Sequence, residues 1–271
     1  MSRALAQQRP VLVGLALWLA ACGGAAAAPA DSPWDEKAAL AASQSAIGRA
    51  LGDHVLRDRD GREVRLSDHR GAPLVISLVY TSCHHICPTT TRHLASVVAV
   101  ARDALGADSF RVVTVGFDTR HDNPETMGAF ARQQGVDVAG WQFLSADQQT
   151  IDRLTGDLGF VYYPSAAGFD HLIQATVVDA DGVIYRQVYG TNFDIPLLVE
   201  PLKELVFGRP TGHSLLAGIG DRIRLFCTVY DPSSNRYVFD YSLFLGIVIG
   251  LACLIAVGTF LVREWRRSRA A

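Results

Sequence analysis

Residues 73–88 read PLVISLVYTSCHHICP and form the most informative pattern in the chain. The first half, residues 73–80, is almost continuously apolar, which is typical of a strand buried on both faces of a sheet. Cys83 and Cys87 follow directly, and residues 89–105 then repeat apolar side chains at helical spacing until Gly106. The pattern predicts a buried strand, a turn that carries two cysteines, and a helix.

The segments around this pattern alternate strand and helix signals. The sequence predicts a hairpin at 54–57 and 63–66, strands at 110–117 and 143–144, helices at 124–134, 147–158 and 195–205, and a second hairpin at 172–178 and 183–188. Asn123 is the predicted N-cap of the helix that begins at Pro124. This order predicts an α/β fold of the thioredoxin-like kind, a mixed sheet flanked by helices.

Composition narrows the class of protein. Of the 271 residues, 49% are hydrophobic and 19% are charged, which is enough for a real core and argues against a disordered chain. The formal net charge is −2, and acidic and basic residues are mixed along the middle of the chain. A nucleic-acid partner is therefore not expected.

The N-terminus predicts export. Arg3 and Arg9 form a basic start, and residues 11–21 form an apolar run about as long as the core of a signal sequence. Residues 19–23, LAACG, then resemble a bacterial lipobox, so residues 1–22 are predicted to be a lipoprotein signal with Cys22 as the lipidated residue. The alternative is a plain secretory signal cleaved within residues 26–30. Residues 23–50 are predicted to be a tether, loose over 31–50 apart from a helical turn.

The C-terminus predicts a membrane span. Residues 243–262 carry no charge and are long enough to cross about 30 Å of hydrocarbon, whereas a buried core helix is the alternative. Four arginines follow within residues 263–271, and positive charge stays on the cytoplasmic side. The predicted location is the bacterial inner membrane, with domain 51–208 and segment 209–242 on the periplasmic or outer side and the tail inside.

Cys83 and Cys87 are the leading candidates for chemistry. Both lie near the start of a helix, where free N–H groups stabilise a thiolate, and a helical turn would place both sulfurs on one face. Two thiolates suit a soft ion, with Cu(I) first, and they can also form a Cys83–Cys87 disulfide. The alternative is two unconnected buried cysteines.

His171 is the leading third ligand. It lies just before the predicted second hairpin, and in a thioredoxin-like fold the loop that enters this hairpin passes close to the cysteine turn. The seven other histidines are expected to be structural or solvated, and they are His54, His69, His84, His85, His93, His121 and His213.

Four groups of residues together resemble the Sco/SenC family over residues 51–205. They are Thr81-Ser82-Cys83, Cys87-Pro88, Asp118 with Asp122, and Asp170-His171 ahead of residues 179–182. The resemblance implies one copper per domain, bound by Cys83, Cys87 and His171 as Cu(I), with Cu(II) left open. It also implies a role in cytochrome c oxidase assembly, with the copper-bearing oxidase subunit and a periplasmic thiol reductant or copper donor as partners.

The chain departs from the family pattern at several positions. His84 stands where the family usually has proline, Thr119 replaces a second proline, and His121 replaces an arginine. His84 and His85 are expected to be solvated, and the alternative is that one of them adds a copper ligand. The family anchor is commonly N-terminal, whereas here a C-terminal span follows a segment that contains Cys227. The sequence assigns no role to that segment.

Two classes of function remain open at this point. The first is a metallochaperone that passes copper to the oxidase or prepares the thiols of its copper site. The second is a thiol–disulfide oxidoreductase that acts on exported proteins without metal transfer, so whether the chain is an enzyme stays open. Asp118 and Asp122 are predicted to support the site without binding copper, because carboxylates are poor ligands for Cu(I). The alternative is a structural role in capping the helix that begins at Pro124, which Asn123 or Asp122 can fulfil without Asp118.

Overall fold

The computed structural model describes residues 34–136, 138–208, 228–231, 236–239 and 241–270. The predicted signal sequence, Cys22, His213 and Cys227 lie outside these ranges, so their predictions are not addressed by the structure.

The described chain forms six α-helices, eleven strands and one 3₁₀ turn in these ranges. The helices are α1 (Glu36–Ser45), α2 (Ile86–Leu105), α3 (Pro124–Gln134), α4 (Gln148–Leu158), α5 (Pro196–Phe207) and α6 (Ser242–Ala270), and the 3₁₀ turn is Leu66–His69. The strands are β1 (Val55–Arg57), β2 (Glu63–Arg65), β3 (Leu74–Val79), β4 (Arg111–Gly116), β5 (Trp141–Leu144), β6 (Tyr162–Ser165), β7 (Gly168–His171), β8 (Gln174–Val178), β9 (Ile184–Tyr189), β10 (Thr228–Asp231) and β11 (Arg236–Phe239).

A five-stranded mixed sheet organises the domain, with the strand order β5-β4-β3-β8-β9. Strand β3 is parallel to β4 and antiparallel to β8, and β4 is parallel to β5. All six residues of β3 are buried, as its apolar run predicts. The predicted α/β class, a mixed sheet flanked by helices, is confirmed.

The parallel pair β3 and β4 brings two chain segments to one edge of the sheet. Both strands end there, β3 before the cysteine turn and β4 before the turn that contains Asp118 and Asp122. Gly116, the last residue of β4, must be small, because a Cβ placed on it would lie 2.5 Å from the Asp122 Cβ. This close approach fixes the Asp122 side chain beneath the edge.

Helix α1 corrects the predicted tether. Residues 36–45 form a ten-residue helix, capped by the Asp35 side chain, which accepts hydrogen bonds from the Lys37 and Ala38 amides. Ser43 in this helix is buried and donates a hydrogen bond to Gln174 Oε1 at 2.9 Å. The domain therefore begins before residue 51, and its first helix binds the sheet through polar contacts as well as apolar ones.

The C-terminal part consists of a hairpin and a long helix. Tyr230 and Tyr237 of the β10–β11 hairpin pack against the hydrophobic core, and Lys203 Nζ of α5 lies 6.0 Å from the centre of the Tyr237 ring. In helix α6, residues Phe244–Leu261 are long and apolar enough to cross a membrane, and none of this stretch is buried within the structure. The predicted apolar helix is therefore present at the C-terminus.

Candidate metal and redox site

The cysteine turn is shaped by backbone hydrogen bonds. The Cys83 N–H donates to the Tyr80 carbonyl at 3.1 Å, and helix α2 begins only at Ile86. Cys83 therefore precedes the helix, and the alignment of both sulfurs along one helix face that a helical turn would give is not formed. Instead the Cys87 N–H, in the first turn of α2, donates to Cys83 Sγ at 3.3 Å. The predicted position of both cysteines at a helix N-terminus is thus found, with a different geometry.

The two thiols have opposite environments. The hydrogen bond from the Cys87 thiol, together with the backbone N–H groups of Cys87 and His85, lowers the pKa of Cys83 to about 4 against the effect of its burial. The same hydrogen bond and its deeper burial raise the pKa of Cys87 well above the ordinary range. At neutral pH the half-buried Cys83 is therefore a thiolate, and the buried Cys87 is its hydrogen-bond donor.

His171 belongs to an element that sequence reasoning missed. It is the last residue of β7, which pairs with β6 in a separate two-stranded sheet, so it lies in a strand and not in a loop. Its Nδ1 lies 2.7 Å from the Leu172 carbonyl oxygen. Because a carbonyl only accepts, Nδ1 must carry the hydrogen, which leaves the Nε2 lone pair free for a ligand in the neutral ring. Burial lowers the pKa of His171, so the neutral ring is favoured.

An aromatic cluster holds the His171 ring. The ring centres of Tyr80, Phe117 and Phe160 lie 6.1, 5.4 and 5.3 Å from that of His171. Phe169 also packs edge-on against Tyr80, at 5.2 Å. Edge-to-face packing at these distances is favourable and orients rings. The only sequence signal for this cluster is that its members lie at the ends of predicted strands and helices.

Cys87 and His171 line the same small, mostly apolar pocket between α2 and β8. Its other walls include Ile86, Thr90 and Phe193. Within the described ranges, no three His, Cys, Asp or Glu side chains lie close enough to form a ready-made metal site. The structure thus brings the two sulfurs together and places the imidazole at the same pocket, without a closed three-ligand shell.

Asp122 ties the cysteine turn to the neighbouring strand. Its Oδ1 accepts hydrogen bonds from the Thr81 N–H and hydroxyl at 2.8 and 2.6 Å, and its Oδ2 accepts from the Asp118 N–H at 2.9 Å. Asp122 is buried, and this burial raises the pKa of its carboxyl group. Asn123, as predicted, caps helix α3 by accepting from the Thr126 N–H. Asp122 is therefore free of capping and contacts the turn directly.

Asp118 lies at the same sheet edge but faces other partners. Its Oδ2 lies 2.6 Å from His121 Nδ1, and its Oδ1 lies 3.6 Å from Arg120 Nε. Both partners are exposed, whereas the Asp118 side chain is buried. Of the two predicted supporting carboxylates, the structure gives Asp122 the direct contact with the cysteine turn.

The remaining described histidines have other surroundings. His84 and His85 are exposed on the cysteine turn. His54 Nε2 lies 2.7 Å from Asp157 Oδ2, and His93 Nε2 lies 2.8 Å from the Phe193 carbonyl oxygen. Burial lowers the pKa of His69, which lies away from the sheet edge that carries the cysteines.

Comparisons with known proteins identify relatives of this chain. A curated "SCO1 protein homolog" from Bacillus subtilis is 25% identical over 149 residues, which cover 52% of this chain and 75% of that protein. The fold resembles that of BsSco, described as a member of the Sco family of cytochrome c oxidase assembly proteins, with a TM-score of 0.52, 20% identity, and coverage of 60% of this chain and 96% of BsSco. It also resembles yeast Sco1 with copper bound, with a TM-score of 0.50, 18% identity, and coverage of 60% and 92%.

A family model settles the relationship. The SCO1/SenC model matches residues 43–206, which is more than half of the chain and begins within helix α1. The matched range contains the cysteine turn, the Asp118–Asp122 turn and His171. The chain belongs to the SCO1/SenC family.

Proposed function

We propose that this chain is a copper-binding chaperone that delivers copper to, or prepares the thiols of, the copper site of cytochrome c oxidase. The observation that carries the proposal is that Cys87 donates its N–H to Cys83 Sγ and lines one pocket together with His171, whose Nε2 is free. Two sulfurs and one imidazole are a donor set that suits Cu(I). The copper-bound yeast Sco1 and the oxidase-assembly role stated for the family of BsSco support the same conclusion.

The surroundings of the two sulfurs support a different task for each of them in copper transfer. Cys83 is half-buried and already ionised at neutral pH, so it is the ligand that an incoming copper donor reaches first. Cys87 is buried and must lose its proton when it binds the metal. Copper transfer then proceeds by ligand exchange. A sulfur of the partner first replaces the accessible Cys83, and the buried Cys87 releases the copper afterwards.

Copper stoichiometry of the reduced full-length chain tests this proposal. We expect one Cu(I) per chain, and Cys83→Ser or Cys87→Ser should abolish tight binding because soft thiolates dominate the affinity. Cys253 in helix α6 offers a matched control, since Cys253→Ser removes an exposed thiol that belongs to neither the cysteine turn nor the pocket. Unchanged stoichiometry in the Cys83→Ser chain would contradict the proposal.

A second candidate function rests on the asymmetry of the thiols. A thiolate beside a buried thiol suits thiol–disulfide exchange as well as metal binding. Cys83 would attack a disulfide of an exported protein and release one of its thiolates. Cys87 would then lose its proton, attack Cys83 and release the other sulfur. The partner gains two electrons, and the chain is left with a Cys83–Cys87 disulfide that a periplasmic thiol reductant must reduce.

His171 separates the two functions. Copper binding uses its Nε2, whereas disulfide exchange requires no imidazole ligand. His171→Ala should therefore weaken copper binding and leave the rate of disulfide reduction nearly unchanged if both activities exist. An equal loss of both activities would show that the variant disturbs the cysteine turn itself.

We place the chain in a bacterial inner membrane through helix α6, with the site outside and the basic tail in the cytoplasm. The uncharged stretch Phe244–Leu261 and the arginines that follow it support this orientation. Lipidation of Cys22 would give a second anchor on the same side. A reporter that works only in the cytoplasm, fused after Ala271, should be active, and Cys83 should react with a membrane-impermeant thiol reagent in spheroplasts. An inactive fusion would overturn the orientation.

A further inference from the structure

The loop that follows β9, residues 190–195, forms part of the wall of the pocket beside the cysteines. Phe193 in this loop is 7% exposed and lines the same pocket as Cys87 and His171. The residues on either side of Phe193 are exposed. The Phe193 side chain therefore points inward from a part of the loop that otherwise faces solvent.

Few backbone hydrogen bonds hold this loop. At its start, the Gly190 N–H donates to the Ile173 carbonyl at 2.9 Å, and Gly190 has a φ of 104°, which favours glycine. At its end, Pro196 begins helix α5. Among the described residues, no backbone N–H from 191 to 195 donates to a backbone carbonyl. A segment with so few backbone hydrogen bonds can open locally while the sheet stays folded.

One side chain of helix α2 fastens the loop. His93 Nε2 lies 2.8 Å from the Phe193 carbonyl oxygen, and because a carbonyl only accepts, Nε2 carries the hydrogen and donates it. The centres of the His93 and Phe193 rings are 4.8 Å apart, and the rings meet edge-on at 86°. Phe193 is thus held through its carbonyl and through its ring by the helix whose first turn contains Cys87.

We propose that residues 190–195 are a gate over Cys87 and that His93 is the latch that keeps this gate closed. While the latch holds, Cys87 stays buried; when the loop opens, a sulfur of a partner can reach it. His93 is a positioning residue that acts through Phe193, since it does not line the pocket itself. The access to the thiol stands on the geometry of the loop alone, whereas the effect on copper transfer rests on the proposed function.

The first arm of the test uses no copper. The rate at which N-ethylmaleimide alkylates Cys87 is measured in the reduced full-length chain that carries Cys83→Ser, so that the more reactive thiol does not compete. Peptide mapping separates Cys87 from the other cysteines. His93→Phe keeps a ring and removes the N–H, so it should raise the open fraction, and with it the alkylation rate, about fivefold. A change below about twofold would overturn the latch.

Arg92→Leu is the matched control. Arg92 lies in the same turn of α2 as His93, and its Nη1 donates to Gln134 Oε1 at 2.7 Å, which belongs to α3 and not to the loop. We expect the alkylation rate of Cys87 in this variant to match that of the chain with Cys83→Ser alone. An equal increase in both variants would assign the effect to a loosened α2 and would contradict the latch.

His93→Gln tests whether the hydrogen bond is the latch. It removes the imidazole ring but keeps a side-chain N–H donor, so its rate should lie closer to that of the unlatched chain's parent than to that of His93→Phe. A rate equal to that of His93→Phe would show that the hydrogen bond does not hold the gate.

If His93→Phe does not fold, the chain with Cys83→Ser and an intact His93 decides the point. Alkylation of Cys87 through a local gate should change little at low urea concentrations, whereas alkylation that requires global unfolding follows the denaturant dependence of the whole domain. A dependence as steep as that of global unfolding would overturn the gate.

The second arm measures copper in chains that keep both cysteines. A gate changes the rates of loading and release together and leaves the equilibrium in place. His93→Phe should therefore exchange Cu(I) with a chelator about fivefold faster in both directions, with an affinity within about twofold of the parent. Unchanged rates, or a loss of affinity with unchanged loading, would overturn the role of the gate in copper transfer. A parent chain that binds no copper contradicts the proposed function and leaves the alkylation result standing.

Discussion

The cysteine half of the site, residues 81–87, is held by hydrogen bonds, whereas the histidine half, residues 162–171, is held by packed rings. Directional N–H donors around Cys83 stabilise negative charge, and the Asp122 carboxylate fixes the start of the turn. Aromatic rings around His171 fix its position and, by burial, favour its neutral form. The cysteine half therefore sets the charge of Cys83, and the histidine half sets the orientation of His171. Changes in the two halves should for this reason have different effects on binding and reactivity.

Oxidation should have the largest effect, and it acts on the cysteine half alone. A Cys83–Cys87 disulfide consumes both sulfurs, so the oxidised full-length chain should bind no Cu(I) tightly although His171 is intact. If the site faces the oxidising outer side, as proposed, copper loading depends on a reductant. Copper stoichiometry before oxidation, after it and after re-reduction checks this. Tight Cu(I) binding by fully oxidised chain would contradict the cysteine site.

The reactivity of the two thiols should differ strongly. With its pKa at about 4, Cys83 should react with iodoacetamide at a rate that is constant above about pH 5 and falls as the pH drops through about 4. Cys87, buried and protonated, should react about 100-fold more slowly at pH 6. Peptide mapping by mass spectrometry after timed alkylation gives both rates. Similar rates for the two thiols would show that the asymmetry is absent in solution.

Removal of the imidazole should weaken the site without destroying it. His171→Ala should lower Cu(I) affinity about tenfold, which corresponds to about 1.4 kcal/mol, because both thiolates remain. His93→Ala is the matched control for packing, since His93 meets the ring of Phe193 in the pocket wall edge-on and contacts its backbone carbonyl, but does not itself line the pocket. Competition with a Cu(I) chelator measures both. An equal loss in both variants would assign the His171 effect to packing.

The sequence was more informative about the cysteine half than about the histidine half. Strand β3, the turn and helix α2 follow from local patterns, namely an apolar run, two cysteines and a helical repeat that ends at Gly106. The β6–β7 hairpin has no such signal, because β6 contains Pro164 and its rings pack against Phe117, which is distant in sequence. Periodicity detects local order, whereas this hairpin depends on tertiary contacts.

Helix α1 is a second element that hydrophobic periodicity in the sequence does not predict. Only Ala39 and Ser43 of this helix are buried, so its inner face is made of small residues that give no apolar stripe. An alanine-rich stretch of this kind is easily interpreted as a linker. In contrast, the start of helix α3 is predicted by the local signals Asn123 and Pro124, and the structure adds Gly135 as its left-handed C-cap. The distinction between Asp118 and Asp122 also required the structure, since both lie in one five-residue turn.

The two carboxylates of that turn should differ in their effect on stability. Asp122→Asn replaces an accepting oxygen by a donor that faces N–H groups, so it should cost about 1–3 kcal/mol in the free energy of unfolding. Asp118→Asn keeps its shape and should cost less, because its partners Arg120 and His121 are exposed, while slowing copper transfer if the charge supports the site. Denaturant unfolding and transfer kinetics test both. The reverse order of stabilities would mean that Asp118 holds the turn.

The smallest effect should come from the exposed histidines of the cysteine turn. His84 and His85 are solvated, so each change to alanine should alter Cu(I) affinity by less than about twofold. The same chelator competition measures this. A tenfold loss of affinity in either variant would show that an imidazole of the cysteine half also binds copper. The two halves would then no longer differ in the kind of ligand that they supply.

The β10–β11 hairpin would hold the proposed copper site at a fixed distance from the membrane. The hairpin packs against the core through Tyr230 and Tyr237, and only residues 240 and 241 separate β11 from helix α6, a link of about 7 Å when extended. A domain on a long flexible tether searches a volume above the membrane. With α6 in the bilayer, this domain would instead rotate about the helix axis. The site would then move on a circle at one distance from the membrane surface. Under the proposed function, a partner would then have to present its copper-accepting group at that height, and lateral diffusion, more than tether length, would set how often the two meet.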